Sequence, residues 1–190
     1  MVCPAWASFL LNNPWRRLIM RPEALLRAFV RPGQTVADIG CGPGFLTVPL
    51  AELVGAGGRV IAVDLQQGML DRVKRLAARK GLADRIDLHR CTADKLGLDT
   101  PIDFAVCLWV LHEVPSQEAL FSELLNCLRP DARVLIAEPY VHVRKSSFAK
   151  TLSLAQKAGY SVVGRPRVWS SRAALLTPCR NEVARDPDQS

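Results

Sequence analysis

Several features are absent from this chain, and each absence removes a class of protein. No apolar run reaches the roughly 18–20 residues that a membrane-spanning helix needs. The N-terminal region lacks the order of a secretion signal, because Asn12, Asn13, Pro14, Trp15, Arg16 and Arg17 break its apolar stretch. A cytoplasmic location is therefore expected. The six cysteines (Cys3, Cys41, Cys91, Cys107, Cys127 and Cys179) include no C-x-x-C pair and no histidine cluster lies near them. That spacing argues against a disulfide framework and against a bound metal. Cys107 and Cys127, set in apolar runs, read as buried free thiols. Acidic residues are missing from the whole stretch between Val141 and Arg180. Arg144, Lys145, Lys150, Lys157, Arg165, Arg167, Arg172 and Arg180 all fall within it, and the chain carries a net charge of +7. Such a stripe attracts RNA, anionic lipid or an anionic substrate, or else simply forms a solvated face.

What is present describes one ordinary globular domain. A length of 190 residues suffices for a substantial core, and 49% apolar with 23% charged residues is a typical soluble balance. Apolar strands alternate with helical patterns through the middle of the chain. Thr35–Ile39, Arg59–Asp64, Ile86–His89, Phe104–Val110 and Arg133–Ala137 read as strands. Phe45–Val54, Met69–Lys80, Gln117–Leu128 and Ser146–Ala158 read as helices, the third stopped by Arg129-Pro130. Tyr160–Val163 and Ala173–Leu176 form a closing pair. This alternation predicts an α/β fold with a parallel sheet. Residues 1–30 are expected as a mostly helical appendage, 31–180 as the main domain and 181–190 as a disordered tail.

The first strand runs into Asp38-Ile39-Gly40-Cys41-Gly42-Pro43-Gly44-Phe45. Glycines at a strand-to-helix turn permit a tight bend and a close approach of backbone to ligand, and the helix behind presents free N–H groups. The spacing is Asp-x-Gly-x-Gly-x-Gly, not the Gly-x-Gly-x-x-Gly of dinucleotide sites. Asp64 ends the second strand about twenty residues past the last glycine, where a carboxylate can accept from both ribose hydroxyls. Asp94, in Cys91-Thr92-Ala93-Asp94, is placed to accept from an adenine amino group.

Glycine loop, Asp64, Asp94 and an apolar fourth strand, in this order, resemble the class I S-adenosylmethionine-dependent methyltransferases over residues ~20–180. The resemblance implies a Rossmann-like, doubly wound, seven-stranded sheet, mainly parallel with the last strand antiparallel. It implies S-adenosylmethionine as cofactor, with Gly40, Gly42 and Gly44 against the methionyl part, Asp38 near its ammonium, Asp64 on the ribose and Asp94 on the adenine. Cys41, Leu65, Ala93 and Leu108 complete the expected cofactor site.

The acceptor is expected at the carboxyl end of the fourth strand, in Leu108-Trp109-Val110-Leu111-His112-Glu113-Val114-Pro115. The Asn/Asp-Pro-Pro-aromatic sequence of base- and glutamine-directed methylases is absent, and the stretch is similar to the Leu-His-Glu/His-Val loop of small-molecule methylases. His112 is either a base that orients the acceptor or a histidine that bonds backbone and shapes the loop. Trp109 and Tyr140 are expected to line the acceptor pocket, and Glu138 to serve structure. In related enzymes the segment before the first strand folds over the site, so Cys3 and Trp6 are assigned to a lid; a membrane-surface contact is the rival reading of that segment. The favoured activity is methyl transfer to an O, N or S atom of a small molecule. An RNA- or protein-directed methylase using the basic stripe, and a noncatalytic cofactor-binding module, stand as alternatives.

Overall fold

The computed structural model describes residues 20–179; the assigned lid residues Cys3 and Trp6 and the tail 181–190 lie outside them. Seven strands form one sheet: β1 (Thr35–Ile39), β2 (Arg59–Asp64), β3 (Ile86–Arg90), β4 (Ile102–Leu108), β5 (Leu128–Pro139), β6 (Tyr160–Gly164) and β7 (Ser171–Pro178). Their spatial order is β3-β2-β1-β4-β5-β7-β6, and β7 alone runs opposite to the other six. The expected mainly parallel sheet with an antiparallel last strand is thus present.

The helices are α1 (Pro22–Leu26), α2 (Thr47–Val54), α3 (Gln67–Lys80), α4 (Gln117–Cys127) and α5 (Lys145–Lys157). They cover both faces of the sheet, which explains why the central strands are apolar without a break. The period-2 alternation of a strand sorts each side chain to one of two cores. Val36, Val60, Ala62, Phe104, Val106 and Leu135 pack with α2 and α3. Ala37, Ile61, Val63, Ala105, Val134 and Ile136 pack with α4 and α5 on the other face. Leu26 and Val30, from the segment expected as an appendage, lie buried in the first core.

Several boundaries differ from expectation by a few residues, three of them for an evident physical reason. The second helix begins at Thr47, not Phe45, because Phe45 lies in the turn and packs its ring edge-on to Trp169, with centroids 6.0 Å apart. β4 stops at Leu108 because Trp109 takes a left-handed φ of 60°. Arg129-Pro130 does not separate α4 from β5. The strand starts at Leu128, and residues 129–132 bulge opposite Asp103, between the Ile102–Leu128 and Phe104–Arg133 pairs. In a bulge the missing proline N–H leaves no ladder bond broken.

The chain leaves β1 toward β2 and β3, then crosses back to β4 and β5 on the other side. Strand order therefore reverses between β1 and β4, which opens a crevice at their carboxyl ends.

The turn into β2 is close-packed at one glycine. A Cβ on Gly58 would lie 2.5 Å from the Val54 Cβ and 2.8 Å from the Gln34 carbonyl, whereas one on Gly57 would meet nothing within 4 Å. Gly58→Ala is expected to lower unfolding stability by about 1–3 kcal/mol, and Gly57→Ala by less than about 0.5 kcal/mol. Urea denaturation of the two variants checks this.

Candidate functional site

A cavity of about 580 Å³ occupies the crevice. Its floor is the loop between β1 and α2. The N–H groups of Gly40 and Cys41 both donate to the Val63 carbonyl at 2.9 Å, pinning the loop to the end of β2. Gly40 has φ +70°, and a Cβ there would stand 2.4 Å from Val110 Cγ2. Backbone conformation and space both demand glycine at that point. Gly42 faces open space, while Gly44 lies outside the cavity lining, with Val73 and Leu76 of α3 against it.

Two carboxylates line this side. Asp38 is almost wholly buried and accepts from Thr47 Oγ1 at 2.7 Å. Loss of solvation pushes its carboxyl up to about 7; the Thr47 bond opposes the shift and the Asp64 charge adds to it. Among the described residues no cation pairs with it. Asp64 accepts from the Gly42 N–H at 2.9 Å with one oxygen and from the Gln66 N–H at 2.8 Å with the other. Burial raises its carboxyl, against the backbone N–H groups of Gln66, Gly42 and Leu65. Each oxygen retains acceptor capacity for a hydroxyl. At the outer lip, Thr92 Oγ1 donates to exposed Asp94 at 2.7 Å, holding that carboxyl below its ordinary range. Leu65, Met69, Ala93, Leu96 and Leu108 supply apolar walls between these groups.

The other side of the cavity is built by the loop after β4. Trp109 N–H donates to the Ala137 carbonyl at 2.8 Å, and its indole N–H donates to Ser171 Oγ at 2.8 Å. Trp169 packs edge-on to it with centroids 6.3 Å apart. Residues Leu111–Glu113 form a single 3-10 turn. Glu138, near the end of β5 and 1% exposed, grips this turn twice. Its Oε1 accepts from the Leu111 N–H at 2.8 Å, and its Oε2 is hydrogen-bonded to His112 Nδ1. The Glu138 bond raises the His112 pKa above its ordinary value; partial burial works against it. Gln117 Nε2 donates to the Leu111 carbonyl at 2.8 Å, and its Oε1 accepts from Thr151 Oγ1 at 2.8 Å, so α4 and α5 brace the same turn. Nδ1 being engaged, Nε2 is the ring nitrogen left for chemistry. A half-buried imidazole backed by a carboxylate can accept a proton from a bound molecule and retain it as a paired cation.

Comparison with known proteins places this geometry. The pattern of the methyltransferase domain family matches residues 36–131. This chain belongs to the class I S-adenosylmethionine-dependent methyltransferases. Among curated relatives, the demethylmenaquinone methyltransferase of Lactobacillus johnsonii is 32% identical over 128 residues, covering 67% of this chain and 50% of its own length. The 2-phytyl-1,4-naphtoquinone methyltransferase of Synechococcus elongatus is 34% identical over 138 residues, covering 69% and 54%. The chain thus spans about half the length of the curated relatives it matches. In fold it is similar to a SAM-dependent methyltransferase from Aquifex aeolicus, with TM-score 0.81 at 24% identity over 93% of this chain and 98% of that one.

The family's cofactor is S-adenosylmethionine, and the cavity of this methyltransferase suits it. A buried carboxylate with no cationic partner among the described residues matches an ammonium, and a second with spare acceptor capacity matches a diol. Of the expected cofactor residues, Asp38, Gly40, Cys41, Gly42, Asp64, Leu65, Ala93, Asp94 and Leu108 line the cavity, and Gly44 does not. Gly44 instead lets α3 approach the loop. Trp109 and His112 also line the cavity. Tyr140 does not. Its ring turns to solvent, 54% exposed, beneath the Arg172 guanidinium at 4.7 Å. Sequence reasoning missed the pairing of Glu138 with His112. That pairing depends on β4 and β5 being neighbours, with Leu108 opposite Ala137, which no local pattern reveals. No helix among the described residues is long and apolar enough to cross a membrane.

The Asp38 carboxyl is raised on folding, from 3.8 to about 7, so the folded state binds the extra proton and stability falls as pH rises between those values. In Asp38→Asn the Thr47 bond can pass to the amide oxygen and the charge is gone. The cofactor-free variant is expected to be more stable than the parent by roughly 1–3 kcal/mol above neutral pH, and equal to it in strong acid. Denaturant titrations across pH check both limits.

Proposed function

We propose that this methyltransferase transfers the methyl group of S-adenosylmethionine to a ring carbon of a small hydroxylated aromatic acceptor of the quinol type. The observation that carries the reading is His112, held by buried Glu138 on the cavity wall beside Trp109, Val110 and Val114. The names of the two curated relatives, which specify menaquinone and naphthoquinone precursors, support a quinone-related acceptor.

In this reading Asp38 takes the cofactor's ammonium, Asp64 the ribose hydroxyls and Asp94 the adenine amino group. When bound, the cofactor supplies a methyl group already activated on a sulfonium, so the chain's task is to align the acceptor and exclude water. His112 Nε2 accepts the proton of an acceptor hydroxyl. The electron pair released into the ring makes the carbon next to that oxygen nucleophilic toward the methyl group, and loss of the proton that carbon carried, to solvent, restores the aromatic ring. Glu138 fixes the tautomer through Nδ1 and stabilises the imidazolium that results. Trp109, Val110 and Val114 give the ring an apolar seat. Methylation of the hydroxyl oxygen itself would begin with the same proton transfer, and product analysis distinguishes carbon from oxygen.

Turnover with a reduced naphthoquinone lacking the ring methyl, followed by mass spectrometry of the product, tests the reaction class. Asp64→Ala is expected to remove the heat of S-adenosylhomocysteine binding in calorimetry. His112→Ala should lower kcat by about 10²–10⁴-fold with that heat retained. Because Glu138 raises the His112 pKa, the acid limb of the kcat profile should lie above 6.5 in the parent and move down in Glu138→Gln. An unmoved limb would remove His112 from the mechanism.

A further inference from the structure

The half of the cavity mouth formed by β5, β7 and β6 combines positive charge with apolar exposure. β5 and β6 both end at the carboxyl edge and β7 begins there, so loops 140–144 and 165–170 stand side by side. The Tyr140 N–H donates to the Ser170 carbonyl at 3.0 Å, and the Arg172 guanidinium donates to the Val143 carbonyl at 2.6 Å. These bonds join the two loops into one rim. Val141 is 85% exposed on it, beside exposed Tyr140. Val141 and His142 also line the cavity, so the rim is continuous with the mouth.

Arg144, Lys145, Arg165 and Arg167 are exposed on the same rim, and none forms an ion pair among the described residues. The opposite edge of the sheet differs. There Arg59 pairs with Asp87 at 2.9 Å and Arg129 with Asp103 at 3.2 Å. Arg144 and Lys145 also sit at the start of the 13-residue helix α5, which has no acid in its first turn. A helix N-terminus is itself positive, so folding alone disfavours cations there, and an external anion reverses the balance.

We propose that this rim docks the protein on an anionic lipid bilayer, with Val141 and Tyr140 among the headgroups and the four cations against lipid phosphates. The cavity mouth then opens toward the membrane, and an apolar acceptor reaches His112 without crossing water. The proposal rests on the acceptor-side reading given above. Lipid fits better than RNA because single-stranded bases seek open aromatic faces. Here Arg172 covers one face of Tyr140, and the most exposed residue is aliphatic.

Sedimentation of the full chain with vesicles tests it, comparing pure phosphatidylcholine with a mixture containing roughly one-third phosphatidylglycerol. Binding is expected only to the anionic vesicles and to weaken with salt. Arg165→Gln with Arg167→Gln should reduce partitioning about ten- to thirtyfold, and Val141→Asp should reduce it as well. Lys74→Gln with Arg75→Gln, which removes the same charge from exposed α3 positions, should leave it unchanged. Equal binding to neutral vesicles, equal loss in the α3 pair, or salt-sensitive binding to RNA with none to vesicles overturns the proposal. Calorimetry with S-adenosylhomocysteine on the Arg165→Gln, Arg167→Gln variant separates failure of docking from failure of the methyltransferase reading, since neither arginine lines the cavity and the heat of binding should be kept.

Discussion

Asp38, Asp64 and Glu138 stand near the carboxyl ends of three parallel strands with almost no contact with water, and the site is organised by how each negative group is compensated. A carboxylate in such a place must find donors or take up a proton. Asp38 has a single hydroxyl and is pushed up to about 7. Asp64 receives two backbone N–H groups from loops on either side of it. Glu138 receives one N–H and one imidazole. The donors are the folded loops themselves, so burying these acids also positions the glycine turn and the His112 turn. The least satisfied of the three faces the end of the cavity suited to a ligand cation, an arrangement that favours binding at the expense of stability in the unliganded protein.

The acceptor side is held from behind with comparable redundancy. Trp109 occupies a left-handed conformation that costs a bulky residue on the order of 1–3 kcal/mol. Its main-chain bond to Ala137, its indole bond to Ser171 and its edge contact with Trp169 hold it there. The reversal of chain direction at Trp109 ends β4 and swings Leu111 into the core and His112 toward the cavity. Braces from α4 and α5 through Gln117 and Thr151 make the turn part of the scaffold. In its proposed role as proton acceptor, an imidazole mounted in this way is preorganised, which is what alignment-driven catalysis requires.

Much of this was legible in the residues because it follows from local periodicity. Continuous apolar runs at Val60–Val63 and Phe104–Cys107 mark strands covered on both faces, and the Asp-x-Gly-x-Gly loop marks the turn where backbone approaches a ligand. Errors arose where a distant contact overrode a local signal. The helix does end just before Pro130, at Cys127, but the strand expected from Arg133 begins at Leu128 and takes the proline into a bulge opposite Asp103. Gly44 reads as a ligand-facing glycine, yet α3 packs against it. Tyr140 reads as a pocket residue, yet Arg172, thirty-two positions later in the chain, holds its ring at the surface.

By itself the sequence determined the fold class, the parallel strands and the places where acids meet the glycine turn, because hydrophobic period and turn chemistry act over a few residues. Only the tertiary structure decided that Glu138 stands behind His112, that Asp38 is the poorly compensated carboxylate, and that the basic residues of loops 140–144 and 165–170 share one rim. Those facts depend on which strands become neighbours. Adjacency in a doubly wound sheet is set by crossovers spanning tens of residues, beyond the reach of any local pattern.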